Sequence, residues 1–358
     1  MEQRSGGGGP ADRPPSIAAV ATAAGVSPTT VSHALSGSRS VRAETRERVI
    51  RVAEELGYTP NRLASGLRLQ RTGVIGLASD HIATTPFAGL IVQGAQEAAR
   101  ERDAVLMVVD SEGDPELEAR QLRSLADHRV DGILLARMFH QEVERPSALG
   151  ATPVVLVDAV PAGGWHVPAI APDEHAIAVT AVQHLLAAGH RSIAFATTTD
   201  DAPASRGREA GFRVALDTAG LGGSAALVER GTSDAVGGRS AGRRLLDRTE
   251  ADRPTAVFCF NDQMAMGVYQ AAAALGLDVP GDCSVVGVDD LDIVAAALEP
   301  ALTTIALPHR EMGRWAMAML LDLIDHADPA ASPATDAPPP VYLRCELVER
   351  GSVTRPRR

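Results

Sequence analysis

Lysine is missing altogether, since all 34 basic residues are arginine. That excludes a P-loop, whose lysine reaches nucleotide phosphates, and chemistry through a Schiff-base lysine. Cysteine is scarce too: Cys259, Cys283 and Cys345 lie far apart in a chain of 358 residues, so neither a disulfide framework nor a zinc site is expected. Aromatic residues make up only 3%, which leaves few rings to stack on a flat ligand. No apolar run is long enough to span a bilayer. The first residues, MEQRSGGGGPADRPP, contain nothing like the apolar core of a signal peptide. The expectation is a cytoplasmic protein with no membrane partner, no metal and no cofactor.

What is present is unevenly charged. The net charge is −11, yet residues 1–71 hold 10 arginines against six acids. A small basic head on a large acidic body is the pattern of a chain in which only the head approaches a polyanion. Residues 1–15 are rich in glycine and proline and are expected to be disordered. Residues 17–24, 27–35 and 43–56 have helical spacing. Gly25 stands where a turn needs positive φ, Ser27 is a suitable N-cap and Pro28 suits the first helical position. A short segment, 61–67, has its own cap in Asn61.

From Val74 onward, short solid apolar runs alternate with amphipathic helical stretches. The runs are 74–78, 104–110, 132–136 and 153–158, then 192–197, 225–229, 256–260 and 284–290. Such alternation predicts parallel sheets covered by helices on both faces, in two doubly wound lobes that divide near 171–173. A loop at 327–340 precedes one last strand at about 341–347.

Residues 16–35, SIAAVATAAGVSPTTVSHAL, read as a helix–turn–helix. Three further segments follow in order: VRAETRERV, ELGYTPNRLASGL and VIGL. Together these resemble the N-terminal region of the LacI–GalR family of bacterial transcription repressors. The body adds RVDGILL, LAAGHRSIA, RGREAGF, NDQMAMG, DCSVVGVDD and EPALTTI, which resemble that family's two-lobed, periplasmic-binding-protein-like core.

The resemblance implies an all-α helix–turn–helix head joined to a two-lobed α/β core of doubly wound parallel sheets. The head spans 16–59 and a hinge helix or linker 60–71. The core spans 72–350, with lobe one at 72–171 plus 303–326 and lobe two at 172–302 plus 340–350, before a flexible basic tail at 351–358. It implies that Pro28, Thr29 and His33 meet base edges in the major groove, while Ser27, Thr30, Ser32 and Arg39 touch phosphates. Asn61 begins the hinge helix, and Leu67 holds the position of a leucine wedged into the minor groove. Arg42 departs from the pattern, because it stands where the third helix often has a Ser or Thr cap, at a cost of about 1 kcal/mol.

For the core, the resemblance implies an effector cleft lined by Phe87, Asp158, Arg208, Asn261 and Asp289. Alternatives stay open from the residues alone: Asn261 and Asp262 could cap a helix, and Arg208 could bridge the lobes. Trp165 could supply a stacking wall where rings expected near Pro86 and Ser233 are missing. The small residues of 87–100 suit a dimer surface or burial within the lobe. The implied function is a regulator, most plausibly a repressor, that binds pseudo-palindromic double-stranded DNA as a homodimer under control of a small polar metabolite, a sugar before a purine. The alternatives are a solute-binding protein without gene control and an enzyme. No G-x-G-x-x-G, H-E-x-x-H or G-x-S-x-G supports the last.

Overall fold

The computed structural model describes residues 16–36, 41–58, 71–222, 227–326 and 338–357. The chain divides into two units at Gly73 and Val74. The arm at 1–15, Arg39, and the hinge with Asn61 and Leu67 lie outside the described residues.

The first unit is three short helices: α1 (Ile17–Ala24), α2 (Pro28–Ser36) and α3 (Ala43–Glu55). Ser16 caps α1 by accepting from Ala19 N (3.3 Å), and Ser27 caps α2 by accepting from Thr30 N (3.1 Å). Gly25 makes the sharp turn between them at φ 66°, with Val26 N donating to Ala21 O at 3.0 Å. Val20, Ala21, Ala24, Val31, Ala34, Val49 and Ala53 form the core. Such a core admits only small or β-branched side chains at the crossing of α1 and α2. Arg42 precedes α3 and gives no side-chain cap.

The second unit carries two six-stranded sheets. The first has the order β11-β5-β4-β3-β1-β2, built from β1 (Val74–Ser79), β2 (Val105–Asp110), β3 (Gly132–Val143), β4 (Val154–Pro161), β5 (Ala169–Pro172) and β11 (Val341–Leu343). The second has the order β12-β10-β9-β8-β6-β7. It is built from β6 (Ile193–Thr198), β7 (Leu227–Gly231), β8 (Ala256–Cys259), β9 (Ser284–Asp289), β10 (Thr303–Ala306) and β12 (Glu346–Val348). All pairings are parallel except β10 with β12. Central strands such as β4, β6 and β8 bury side chains on both faces, hence their unbroken apolar runs. The edge strands β2 and β7 are half-exposed. In the second lobe Phe195 stacks between Phe258 (4.7 Å) and Phe212 (5.3 Å) at the centre of the core.

The sheets divide the chain differently from the sequence expectation in three places. Residues 303–306, assigned to lobe one, form β10 in the second sheet, and the chain crosses only at 307–308. The expected last strand is two three-residue strands, β11 in the first sheet and β12 in the second, so the chain crosses again at 344–345. The third difference is the tail, which is docked rather than flexible. Ser352 is buried, donating from Oγ to Val285 O (2.6 Å) and accepting from Thr303 N (2.8 Å). Thr354 N donates to Ser284 Oγ (3.1 Å), and Thr354 O accepts from His190 Nε2 (2.9 Å). These contacts satisfy polar groups at the start of β9 and β10 that would otherwise be buried without partners.

Of the two uses open to the small residues of 87–100, a dimer surface or burial within the lobe, burial accounts for most of them. Helix α4 (Ala88–Glu101) packs along α11 (His309–Asp325), and a side chain at Gly94 or Gly313 would overlap the facing backbone at Arg310 or Ile91. Gly94, Ala95 and Ala98 are therefore buried within the lobe. Arg310–Glu97 (2.8 Å), Arg314–Glu101 (2.7 Å) and Arg102–Asp322 (2.7 Å) line the rim of this contact.

Candidate functional site

On the head, α2 begins with Ser27, Pro28 and Thr29 exposed, followed by half-buried Thr30, Ser32 and His33. Ser27 Oγ also lies 2.9 Å from Thr30 Oγ1. These two hydroxyls thus organise the helix start as well as standing at its surface. The exposed N-terminal turn presents backbone N–H groups and short hydroxylated side chains, a surface suited to phosphates and base edges.

In the body, all five residues expected around an effector line one cavity of ≈ 250 Å³ between the lobes. Phe87 comes from the start of α4 and Asp158 from β4 in lobe one. Arg208 comes from α7 (Pro203–Thr218), Asn261 from just beyond β8, and Asp289 from the end of β9 in lobe two. Strand ends gather here because both sheets point their carboxyl ends at the cleft.

Arg208 is held rigidly. Its Nε donates to Glu174 Oε2 (2.7 Å), Nη1 donates to Phe260 O (2.5 Å), and the guanidinium lies 4.4 Å from the centroid of the Phe260 ring. Glu174 opens α6 (Glu174–Ala187), and both partners are about 95% buried. Both belong to lobe two, so the ion pair does not bridge the lobes. Burial alone would raise the Glu174 carboxyl. The Arg208 charge, with the His140 ring 3.5 Å away, outweighs burial and leaves it below the ordinary value. Contacts that do cross the cleft are His140 with Glu174 and, at its flank, Arg206 with Glu142 (2.8 Å).

Two further carboxyls stand in the cavity on strained backbone, Asp158 at φ 53° and Asp289 at φ 118°. Burial, reinforced by repulsion from Glu174, pushes Asp158 well above the carboxylate range, and its Oδ1 has no hydrogen-bond partner among the described residues. Burial and repulsion from Asp262 raise Asp289 likewise. His309 stacks face to face on Phe87 (4.3 Å, 6°), and burial lowers it to about 4, so it is neutral. Neither of its ring nitrogens has a hydrogen-bond partner among the described residues, and Nε2 of His140 likewise has none there. A neutral imidazole offers one donor and one acceptor, and a protonated carboxyl offers both. The cavity can thus pair with groups that both donate and accept, as hydroxyls do.

Asn261 combines two of its possible uses. It caps α9 (Asp262–Ala274) by accepting from Met264 N (2.8 Å), donates to Ser233 O (2.9 Å), and lines the cavity. Asp262 is no cap: it accepts from Leu291 N and Thr304 Oγ1. Trp165 packs against the lobe-one core and does not line the cavity. The rings there are Phe87, Phe139 and Phe260. Sequence reasoning missed Glu174, His140 and His309. Glu174 and His309 lie just past lobe crossings, where no motif marks them. The one available signal was the acid pair Asp173–Glu174 at the predicted lobe boundary, with Asp173 capping α6 through Ala176 N (3.0 Å).

Comparison with known proteins gives a consistent result. Residues 16–61 match the model of bacterial regulatory proteins of the lacI family, and residues 182–353 match a periplasmic binding protein-like domain. The ribose operon repressor of Escherichia coli (strain K12) is 36% identical over 310 residues, covering 85% of this chain and 92% of its own. The HTH-type transcriptional repressor PurR of Haemophilus influenzae (strain PittEE) is 33% identical over 316 residues, covering 86% and 91%. The crystal structure of the lac repressor dimer bound to operator and the anti-inducer ONPF superposes with a TM-score of 0.75 at 27% identity, covering 96% of this chain and 100% of that one. Among the described residues no helix is long and apolar enough to cross a membrane. With its helix–turn–helix head and its two-lobed α/β body, the chain belongs to the lacI family of bacterial regulatory proteins, DNA-binding transcriptional regulators under effector control and not enzymes.

Proposed function

We propose that this protein is a cytoplasmic, nucleoid-associated repressor that binds a pseudo-palindromic operator as a homodimer and answers to a neutral monosaccharide. The observation that carries the effector class is the chemistry of the cavity. Asp158 and His309 offer unshared hydrogen-bonding capacity, while Arg208, the one arginine among the described lining residues, is already bound by Glu174. With that arginine engaged and Asp200 also on the wall, no unengaged arginine is left among the described lining residues to hold a phosphorylated or carboxylated ligand. The ≈ 250 Å³ cavity lies just below the range of about 300–1,000 Å³ typical of drug-sized ligands, which favours one sugar ring over two. A relative is named for a ribose operon, and a structure 32% identical is described as a CelR–cellobiose complex. The size of the cavity favours the former kind of ligand.

At the head, Pro28, Thr29 and His33 read bases, and Ser27, Thr30, Ser32 and Arg39 hold phosphates. For Asn61 and Leu67 the proposed role is minor-groove contact, as the family's pattern assigns it. Purified full-length protein in a thermal-shift panel of D-ribose, D-xylose, D-glucose, cellobiose, ribose 5-phosphate and hypoxanthine tests the effector class. A monosaccharide raises Tm and ribose 5-phosphate does not. Stabilisation by hypoxanthine or the phosphate alone would overturn the assignment.

A further inference from the structure

Asp262 is wholly buried at the first turn of α9, next to Asn261, and is not among the cavity's walls. Both of its carboxyl oxygens hold other segments: Oδ2 accepts from Leu291 N (2.7 Å) and Oδ1 from Thr304 Oγ1 (2.6 Å). Leu291 follows the turn made by Asp289 and Asp290, which stand at φ 118° and 55°. Side-chain-bearing residues adopt such angles at a cost of about 1–3 kcal/mol each, so surrounding contacts must hold this turn.

Two groups do so. Arg350 Nη2 donates to Asp290 Oδ1 (2.7 Å) from a partly exposed position, and Asp262 grips Leu291 N from the interior. The strand accommodates that grip with Gly287, where a Cβ would overlap Asp262 Oδ1. Asp289, one end of this turn, is a wall of the cavity.

We propose that Asp262 is the positioning residue of the effector site: its hold on Leu291 N fixes the strained Asp289–Asp290 turn, and so aims the Asp289 carboxyl into the cavity. The inference rests on the reading of this cavity as the effector site, but no contact between Asp262 and the effector is involved. Asp262→Ala removes both acceptors. Asp262→Asn keeps the shape and a carbonyl for Leu291 N, while the Thr304 hydroxyl can rotate to accept from the amide.

The test titrates full-length protein with D-ribose and D-xylose by calorimetry and follows hydrogen exchange at the Leu291 amide. D262A weakens binding of the sugar that wild type takes by about 10–100-fold, by analogy with the loss of a group that orients a metal ligand. It also speeds Leu291 exchange and leaves sugar-free operator affinity unchanged, whereas D262N stays near wild type throughout. Should D262A not fold, Asp262→Ser replaces it, since one shorter hydroxyl cannot keep both of the carboxyl's hydrogen bonds. Unchanged sugar affinity in the truncated variant, or an equal loss in D262N, overturns the proposal. If wild type takes neither sugar, the choice of a pentose fails by itself and Leu291 exchange decides. Slow exchange in the truncated variant then refutes the anchor, and fast exchange there with slow exchange in D262N upholds it.

Discussion

Replacing Arg208 with methionine isolates the most buried charge of the cavity. Arg208 and Glu174 are each about 95% buried, so removing one strands the other in a medium that solvates it poorly. Breaking such a pair costs about 3–5 kcal/mol, which for a body of this size lowers Tm by on the order of 10 °C. The loss depends on pH in a definite direction. In wild type the Glu174 carboxyl lies below its ordinary value, so its contribution is present above that value and disappears as pH falls through the lowered one. In R208M the stranded carboxyl is instead pushed up by burial, so the variant recovers stability relative to wild type on acidification. The double variant R208M/E174L removes both charges and regains most of the lost stability, because an apolar pair of similar volume replaces an ion pair at little net cost. Its cavity nevertheless lacks the guanidinium, and a sugar that shifts the wild-type Tm leaves it unmoved. Denaturation monitored by circular dichroism, with and without the sugar, reads both effects. A cost below about 1 kcal/mol for R208M would refute the burial reasoning. A double variant that is stable and binds sugar like wild type would remove the ion pair from the site.

Other perturbations probe the scaffold. Gly94→Ala pushes a methyl group into the Arg310 backbone and parts α4 from α11, so a loss of about 3 kcal/mol or more is expected in urea denaturation. Asp262 is raised by burial from 3.8 to about 7. Its protonated form is thus favoured by folding, and its contribution falls as pH climbs from about 4 through about 7. D262N flattens that slope, and an unchanged slope would place the titration elsewhere. Ser27→Ala removes the cap of α2 and costs the head about 1 kcal/mol by thermal melting.

Much of this architecture was legible because the physics that forms it is local. Solid apolar runs marked strands buried on both faces, and Gly25, Ser27 and Pro28 marked a helix–turn–helix through φ, capping and ring geometry. The four-residue strands β5 (AIAP) and β10 (TTIA) contain a proline or two threonines and so form no solid apolar run, unlike the equally short β8. Nor could the 341–347 run reveal that its halves join different sheets, because that division depends on partners far away in sequence. The tail looked flexible by composition, yet Ser352 and Thr354 are fixed by polar groups of Val285, Thr303, Ser284 and His190. Around the cavity, Asp289 at the end of β9 and Asp158, which the apolar run 153–158 closes although β4 continues to Pro161, were readable by position. Glu174, His140 and His309 were not, since their roles arise from packing across lobe crossings.

The most direct test of a sugar-filled cavity that governs the DNA-binding head is operator affinity, measured by fluorescence anisotropy on a pseudo-palindrome selected from random duplex. The measurement is made with and without the monosaccharide that raises Tm, on wild type and R208M/E174L. Wild-type affinity for the selected duplex changes by about 5–150-fold when the sugar is added, while the double variant binds the same duplex and ignores the sugar. A wild-type protein that prefers no palindrome over random DNA, or whose operator affinity stays constant while the sugar stabilises it, would contradict the account.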